Sequence, residues 1–242
     1  MALSMKIATA EADVTTSEDI LPSGSSIAAI YRDKPASYFA NARSDFVDLL
    51  RTGAGSAVLE LGCGAGGTGR AVLAAGKAGR YVGLELDPSA ARVAAEALTE
   101  VLVGDVQEVN LEPLAGQFDA LIISEVMEHL ADPWTTLVRL SACVKPGGQV
   151  MASSPNIAHW NIILNLLRGR FEYREAGIMD QTHLRWFTPD SYVALFEGAG
   201  FQIDTVRSMR ENGWKAKIFD AVTGGRFKHL FMAQIVVVGR KR

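Results

Sequence analysis

Short apolar runs punctuated by turn residues recur along this chain, and stretches of helical character fill the gaps between them. Residues 57–61, 80–86, 100–103, 118–124 and 149–153 are aliphatic, β-branched runs with the length and continuity of buried strands. Residues 45–50, 68–75 and 134–144 read as helices, and Pro88 opens an alanine-rich one at the first-turn position that proline tolerates. Gly76 and Pro146-Gly147-Gly148 act as breakers. Strands alternating with helices over five cycles predict a parallel sheet with helices on both faces. The end of the chain departs from this rhythm. A helix over 189–199 leads into a sixth strand from Gly200-Phe201 to Val206, and a last strand is expected over 229–238, close enough in sequence to pair with it antiparallel. Residues 155–188 lack sheet periodicity and are rich in aromatics and arginine, which predicts a lid or acceptor insert.

The run Val58-Leu59-Glu60-Leu61-Gly62-Cys63-Gly64-Ala65-Gly66-Gly67 concentrates the candidate chemistry. A strand ends there in an acidic residue and glycines crowd a tight turn before a helix. Glycine is needed where backbone must turn sharply and let a ligand lie against it. Gly62-x-Gly64-x-Gly66 suits the amino-acid and ribose part of S-adenosylmethionine, while Gly62-x-Gly64-x-x-Gly67 also satisfies the dinucleotide fingerprint. Downstream acids decide between them. Glu85 ends the second strand and can accept from two ribose hydroxyls. Asp105 ends the third and can accept from an adenine amino group, with Val106 stacking or donating its N–H. A phosphate-binding dinucleotide site does not call for Asp105 or for an antiparallel close. Glu60, beneath the turn, would favour a cationic amine and sulfonium. Cys63, Leu86 and Ser124, at or beside the same strand ends, complete the expected donor site. Asp87, just before Pro88, is expected to cap its helix instead.

Composition sets outer bounds. The chain has 242 residues, 48% of them hydrophobic, enough for one large domain. No apolar run approaches the roughly 20 residues of a spanning helix. Residues 1–26 show no basic start followed by an apolar block, and their Ala, Ser, Thr and acidic content predicts a disordered tail, leaving 27–242 as a single domain. Cys63 and Cys143 cannot form a disulfide framework and are expected to be reduced thiols in a cytoplasmic protein. A net charge of −3 argues against nucleic acid as a partner.

With Gly104-Asp105-Val106, Phe118-Asp119 and Val144-Lys145-Pro146-Gly147-Gly148 added to the glycine turn and Glu85, the chain resembles a class I S-adenosylmethionine-dependent methyltransferase over residues 31–240. The resemblance implies an α/β, Rossmann-like three-layer sandwich with a seven-stranded, mostly parallel sheet of order 3-2-1-4-5-7-6 and an antiparallel last strand. It implies S-adenosylmethionine as cofactor, S-adenosylhomocysteine as product, and cofactor contacts at Gly62, Gly64, Gly66, Glu85 and Asp105. More narrowly, Ser124-Glu125-Val126-Met127-Glu128-His129-Leu130 and Asp132-Pro133 resemble ubiquinone-type O-methyltransferases. Ser153, Pro155-Asn156, Leu167-x-Gly169-x-Phe171-x-Tyr173 and residues 180–188 are similar to bacterial methyltransferases encoded among glycan-assembly enzymes. A small or glycan-related hydroxylated acceptor is the implied substrate.

A hydroxyl acceptor gains from a base, and His183, in the segment before the 189–199 helix, is the candidate, with His129 second. Against this, His183 bonded to Asp180 or to a backbone carbonyl would merely order the lid. Glu125, Glu128 and His129 share one face if residues 125–129 are helical. With His183 they would resemble the divalent-metal site of small-RNA 3′-terminal methyltransferases. The reading preferred from the sequence is no metal, with Glu128 and His129 structuring the loop. The stretch 161–186 carries Arg168, Arg170, Arg174 and Arg185 beside aromatics. It reads first as a lid over the acceptor, second as an interfacial helix on a membrane surface, third as a dimer contact or a packed helix with solvated arginines. Tyr31, Tyr38 and Arg43 are candidates to close over the cofactor's carboxylate end. Two alternatives stay open: a catalytically idle cofactor-binding module, and a nicotinamide-dependent oxidoreductase.

Overall fold

The computed structural model describes residues 42–209 and 213–242, together with the two-residue strand β1 (Ile7–Ala8). Eight strands form one sheet of order β1-β4-β3-β2-β5-β6-β8-β7, with β2 at Ala57–Leu61, β3 at Arg80–Glu85, β4 at Glu100–Val103, β5 at Phe118–Ser124, β6 at Val144–Pro155, β7 at Phe201–Ser208 and β8 at Gln234–Lys241. Counted from Ala57–Leu61, this is the expected 3-2-1-4-5-7-6 order. β1 adds an antiparallel pair at the edge, Ile7 opposite Leu102 and Ala8 opposite Val101. The other residues of the expected tail, and Tyr31 and Tyr38, lie outside the described residues.

The chain divides into two compact units. The first runs to residue 122 and includes 143–145. Its helices among the described residues are α1 (Ser44–Leu49), α2 (Gly67–Ala74) and α3 (Pro88–Ala95). β2, β3 and β4 pair in parallel, Glu60 opposite Gly83 and Glu85 opposite Val103, so that their carboxyl ends lie side by side. Val58, Leu59, Tyr81, Val82, Val101 and Leu102 are fully buried, the continuous apolar pattern of strands covered on both faces. At Gly83 backbone and core press closely: a Cβ there would meet the Cys63 sulfur at 2.5 Å. Asp87 caps α3 as expected, accepting from the Ala90 N–H at 2.8 Å.

The second unit holds residues 123–142 and 146–242, with α4 at Pro133–Cys143 (its last residue lying in the first unit), α5 at Trp160–Leu167, α6 at Pro189–Gly198 and α7 at Trp214–Val222. β8 runs antiparallel to both β6 and β7. The largest boundary differences from the sequence reading are the starts of β6 and β8. β6 begins at Val144, ahead of Pro146-Gly147-Gly148, because Gly147, at φ 76°, departs from extended backbone without ending the strand, whose stretch 149–155 pairs with β8. β8 begins at Gln234, not residue 229, since Lys228–Phe231 closes a 3₁₀ turn and register with β7 starts at Ile235 opposite Ser208. α7 was not foreseen. Thr188 and Ser191 form a reciprocal capping box that starts α6.

Candidate active site

In the first unit the glycine turn has the geometry its composition demands. Gly62, Gly64 and Gly66 all have left-handed φ, at 71°, 54° and 76°, which a side chain would strain. The turn is held from below by the Gly62 N–H donating to the Leu84 carbonyl at 2.8 Å. The Glu85 carboxylate braces it: one oxygen accepts from the Gly64 N–H at 2.8 Å, the other from the Asp87 N–H at 2.9 Å. Burial pushes Glu85 up from its ordinary range, and these backbone bonds partly oppose that. Each oxygen keeps lone-pair capacity for a further donor, as two ribose hydroxyls require. Asp105 takes the Gln107 N–H on one oxygen at 2.8 Å, closing its own turn, while its other oxygen meets only the Gln107 amide at 3.5 Å. Leu86 is half-buried and Val106 buried beside these acids. The Cys63 side chain points beneath the turn, where burial raises its thiol pKa strongly. Arg43 is engaged by Asp45 at 2.8 Å and stacks on Phe46, which draws its guanidinium away from the expected carboxylate contact.

In the second unit two segments are laced together. The Leu184 and Arg185 N–H groups both donate to the Glu128 carbonyl, at 2.8 and 2.9 Å. Asp180 accepts from both the Thr182 N–H and hydroxyl, an Asx turn that sets the shape of the loop. Thr182 in turn holds His129: the His129 Nδ1 lies 3.2 Å from the Thr182 carbonyl. His183 Nδ1 lies 3.1 Å from the Ile178 carbonyl. A carbonyl only accepts, so each contact is a hydrogen bond when Nδ1 carries the proton, and in that neutral tautomer the lone pair is on Nε2. The rings meet edge-on with centroids 4.8 Å apart. Glu128 completes the group: ligand atoms of Glu128, His129 and His183 all lie within 4.8 Å of one another. Glu128 is 1% exposed, and one of its oxygens accepts from the Ser154 hydroxyl at 3.1 Å. The other has no hydrogen-bond partner among the described residues. Burial, then the neighbouring Glu125, holds this carboxyl well above its usual range.

Glu125 does not join the cluster. Residues 127–129 make a 3₁₀ turn and Glu125 lies before it in the left-handed region, φ 54°, so the helix-face argument fails. Its carboxylate receives the Gln234 amide at 2.9 Å. Ser124, expected at the donor site, is half-exposed with its hydroxyl 3.4 Å from that of Ser153.

The Methyltransferase domain family matches residues 36–206. The chain belongs to that family. It is 30% identical over 185 residues to the ubiquinone biosynthesis O-methyltransferase of Chromobacterium violaceum, covering 70% of this chain and 75% of that protein. Among solved structures, the S-adenosylmethionine-dependent methyltransferase from Mesorhizobium loti superposes with a TM-score of 0.58 at 16% identity, covering 84% of this chain and all of that one. A chain in the complex between the Haloferax volcanii Trm112 methyltransferase activator and a methyltransferase gives 0.62 at 18% identity, covering 89% and 97%. This protein is a class I S-adenosylmethionine-dependent methyltransferase.

Glu60 of the methyltransferase is fully buried, bonded to the Tyr81 hydroxyl at 2.9 Å. Desolvation raises its pKa from 4.5 to about 7, against the bonds from Tyr81 and Thr68. The folded chain therefore binds more protons than the unfolded chain between those values, and the stability contribution present below pH 4.5 is lost as pH rises through 7. The loss amounts to about 3 kcal/mol. Glu60→Gln keeps an acceptor for Tyr81 and removes the ionisation. Urea unfolding of the ligand-free variant is expected to give a stability that falls less between pH 5 and pH 8 than the parent's and exceeds it at the higher pH, with Glu85 and Glu128, also raised by burial, keeping part of the slope. An unaltered slope would show that Glu60 ionises elsewhere than this environment dictates.

Thr182, Asp180 and Ser154 were not singled out as site residues from the sequence. The Asp-x-Thr spacing of an Asx turn was the available signal.

Proposed function

We propose that this methyltransferase moves the S-adenosylmethionine methyl group to a hydroxyl of a small or glycan-related acceptor, with His183 as the base and S-adenosylhomocysteine as product. Gly62, Gly64, Gly66, Glu85 and Asp105 hold the donor, and residues 155–188 cover the acceptor. The observation that carries this reading is the paired imidazoles, each with Nδ1 anchored to a carbonyl and the lone pair left on Nε2. The sulfonium brings the reactivity; the protein contributes position, exclusion of water and a place for the hydroxyl proton. A base matters most when the nucleophile is a hydroxyl, and the O-methyltransferase name of the Chromobacterium relative agrees with that class. The test is transfer of labelled methyl to a panel of phenols, catechols, amines and saccharides. Methylation confined to hydroxylated members supports the proposal; transfer only to amines, or none across the panel while S-adenosylhomocysteine still binds, overturns it.

A second reading rests on the unpartnered Glu128 oxygen. One carboxylate and two imidazoles with lone pairs turned from their carbonyl anchors suit a first-row divalent ion. Glu128, His129 and His183 would hold it, and it would lower the pKa of an acceptor hydroxyl. Titration of metal-free protein with Mn²⁺ or Zn²⁺ in a calorimeter decides: a stoichiometric site abolished by Glu128→Gln supports the ion, and no saturable heat removes it.

A further inference from the structure

The second unit presents an exposed apolar stripe. Along α7, Trp214, Ile218 and Val222 follow one another at i, i+4 and i+8, so they share one side of the helix. They are 69%, 55% and 81% exposed. Phe219, on another side of α7 and 41% exposed, packs its ring 5.4 Å from Phe231 and 6.1 Å from Phe227.

Charge accompanies the stripe. Residues 213–231 carry Lys215, Lys217, Arg226 and Lys228 against Asp220 alone, in a chain whose net charge is −3. α5 repeats the signature. Ile162 is its buried residue, while Trp160, Leu164 and Leu167 are exposed, Leu167 by 80%, and Arg168 and Arg170 follow directly. The two segments are tied together at Asn156, whose buried side-chain amide donates to the carbonyls of His229 and Met232, just past α7, only a few residues before α5 begins. Basic and apolar surface therefore coincide twice, on elements joined at one point.

We propose that α7, together with α5, seats this methyltransferase on an anionic lipid surface. An amphipathic helix binds such a surface by burying its apolar side at the acyl boundary while lysines and arginines meet acidic headgroups. No helix among the described residues is long and apolar enough to cross a membrane, so the contact is peripheral. A second copy of the chain is the poorer occupant: a two-fold contact would set one strongly basic segment against itself. The proposal does not depend on which acceptor is methylated.

Flotation of the full-length protein with vesicles tests it. Partition onto phosphatidylglycerol–phosphatidylcholine vesicles is expected to exceed that onto phosphatidylcholine alone by about tenfold or more at low salt, and to weaken as salt screens the headgroups. The double variant Ile218→Asp/Val222→Asp is expected to lower it by at least about tenfold. Arg226→Glu/Lys228→Glu is expected to erase the preference for acidic lipid. None of these positions is among the donor residues, so S-adenosylhomocysteine affinity should match the parent in each variant and report that the fold is intact. Absence of binding to either vesicle, or equal binding by Ile218→Asp/Val222→Asp, would overturn the proposal. So would sedimentation showing a parent dimer that this pair of substitutions dissociates.

Discussion

Glu85→Gln is expected to weaken S-adenosylhomocysteine binding by about a hundredfold or more. Two hydroxyls on one ionised carboxylate are charge-assisted bonds worth roughly 1.5–3 kcal/mol each, and the amide replaces one accepting oxygen with a donor. That donor also confronts an N–H it cannot satisfy, either that of Gly64 or that of Asp87. The glycine turn and the start of α3 should therefore loosen together, and the variant should lose stability as well as affinity. Calorimetric titration alongside urea unfolding separates the two. A variant that binds within a few-fold of the parent would mean that the ribose is held elsewhere.

His183→Ala is expected to lower turnover by about 10²–10⁴-fold while leaving donor affinity unchanged, the scale of one positioned proton acceptor. His183 belongs to the second unit and every glycine and acid assigned to the donor to the first, which makes the separation of kcat from donor Kd informative. His183→Ala should also become more sensitive to the acidity of the acceptor: phenols that ionise easily should suffer least. If His129→Ala lowered turnover to this extent while His183→Ala left it within a few-fold of the parent, then His129 and not His183 would be the proton acceptor.

What could be read from the chain was largely what is local. The left-handed turn at Gly62, Gly64 and Gly66, the placement of Glu85 at a strand end and the Asp87 cap follow from a few adjacent residues and strong conformational preferences. The strand order came with the family resemblance, because periodicity alone gives strands without their neighbours. Boundaries near the end of the chain were harder. The sequence His229-Leu230-Phe231-Met232-Ala233-Gln234-Ile235 has no glycine, proline or other turn residue, and its division into a 3₁₀ turn and a strand is fixed by pairing with β7. Glu125 was misplaced because i, i+3 spacing brings side chains together only inside a regular helix, whereas its φ of 54° takes it out of one. Likewise Asp180 spends its carboxylate on Thr182, and His183 finds a carbonyl instead, a choice between equivalent acceptors that only the folded loop makes.

The most direct test of the whole account is a structure of the protein with S-adenosylhomocysteine. The ribose hydroxyls should lie within hydrogen-bonding distance of Glu85, and the adenine amino group should approach the Asp105 oxygen that Gln107 leaves largely unengaged. A nucleoside bound away from the glycine turn, with Glu85 still wholly committed to Gly64 and Asp87, would contradict it.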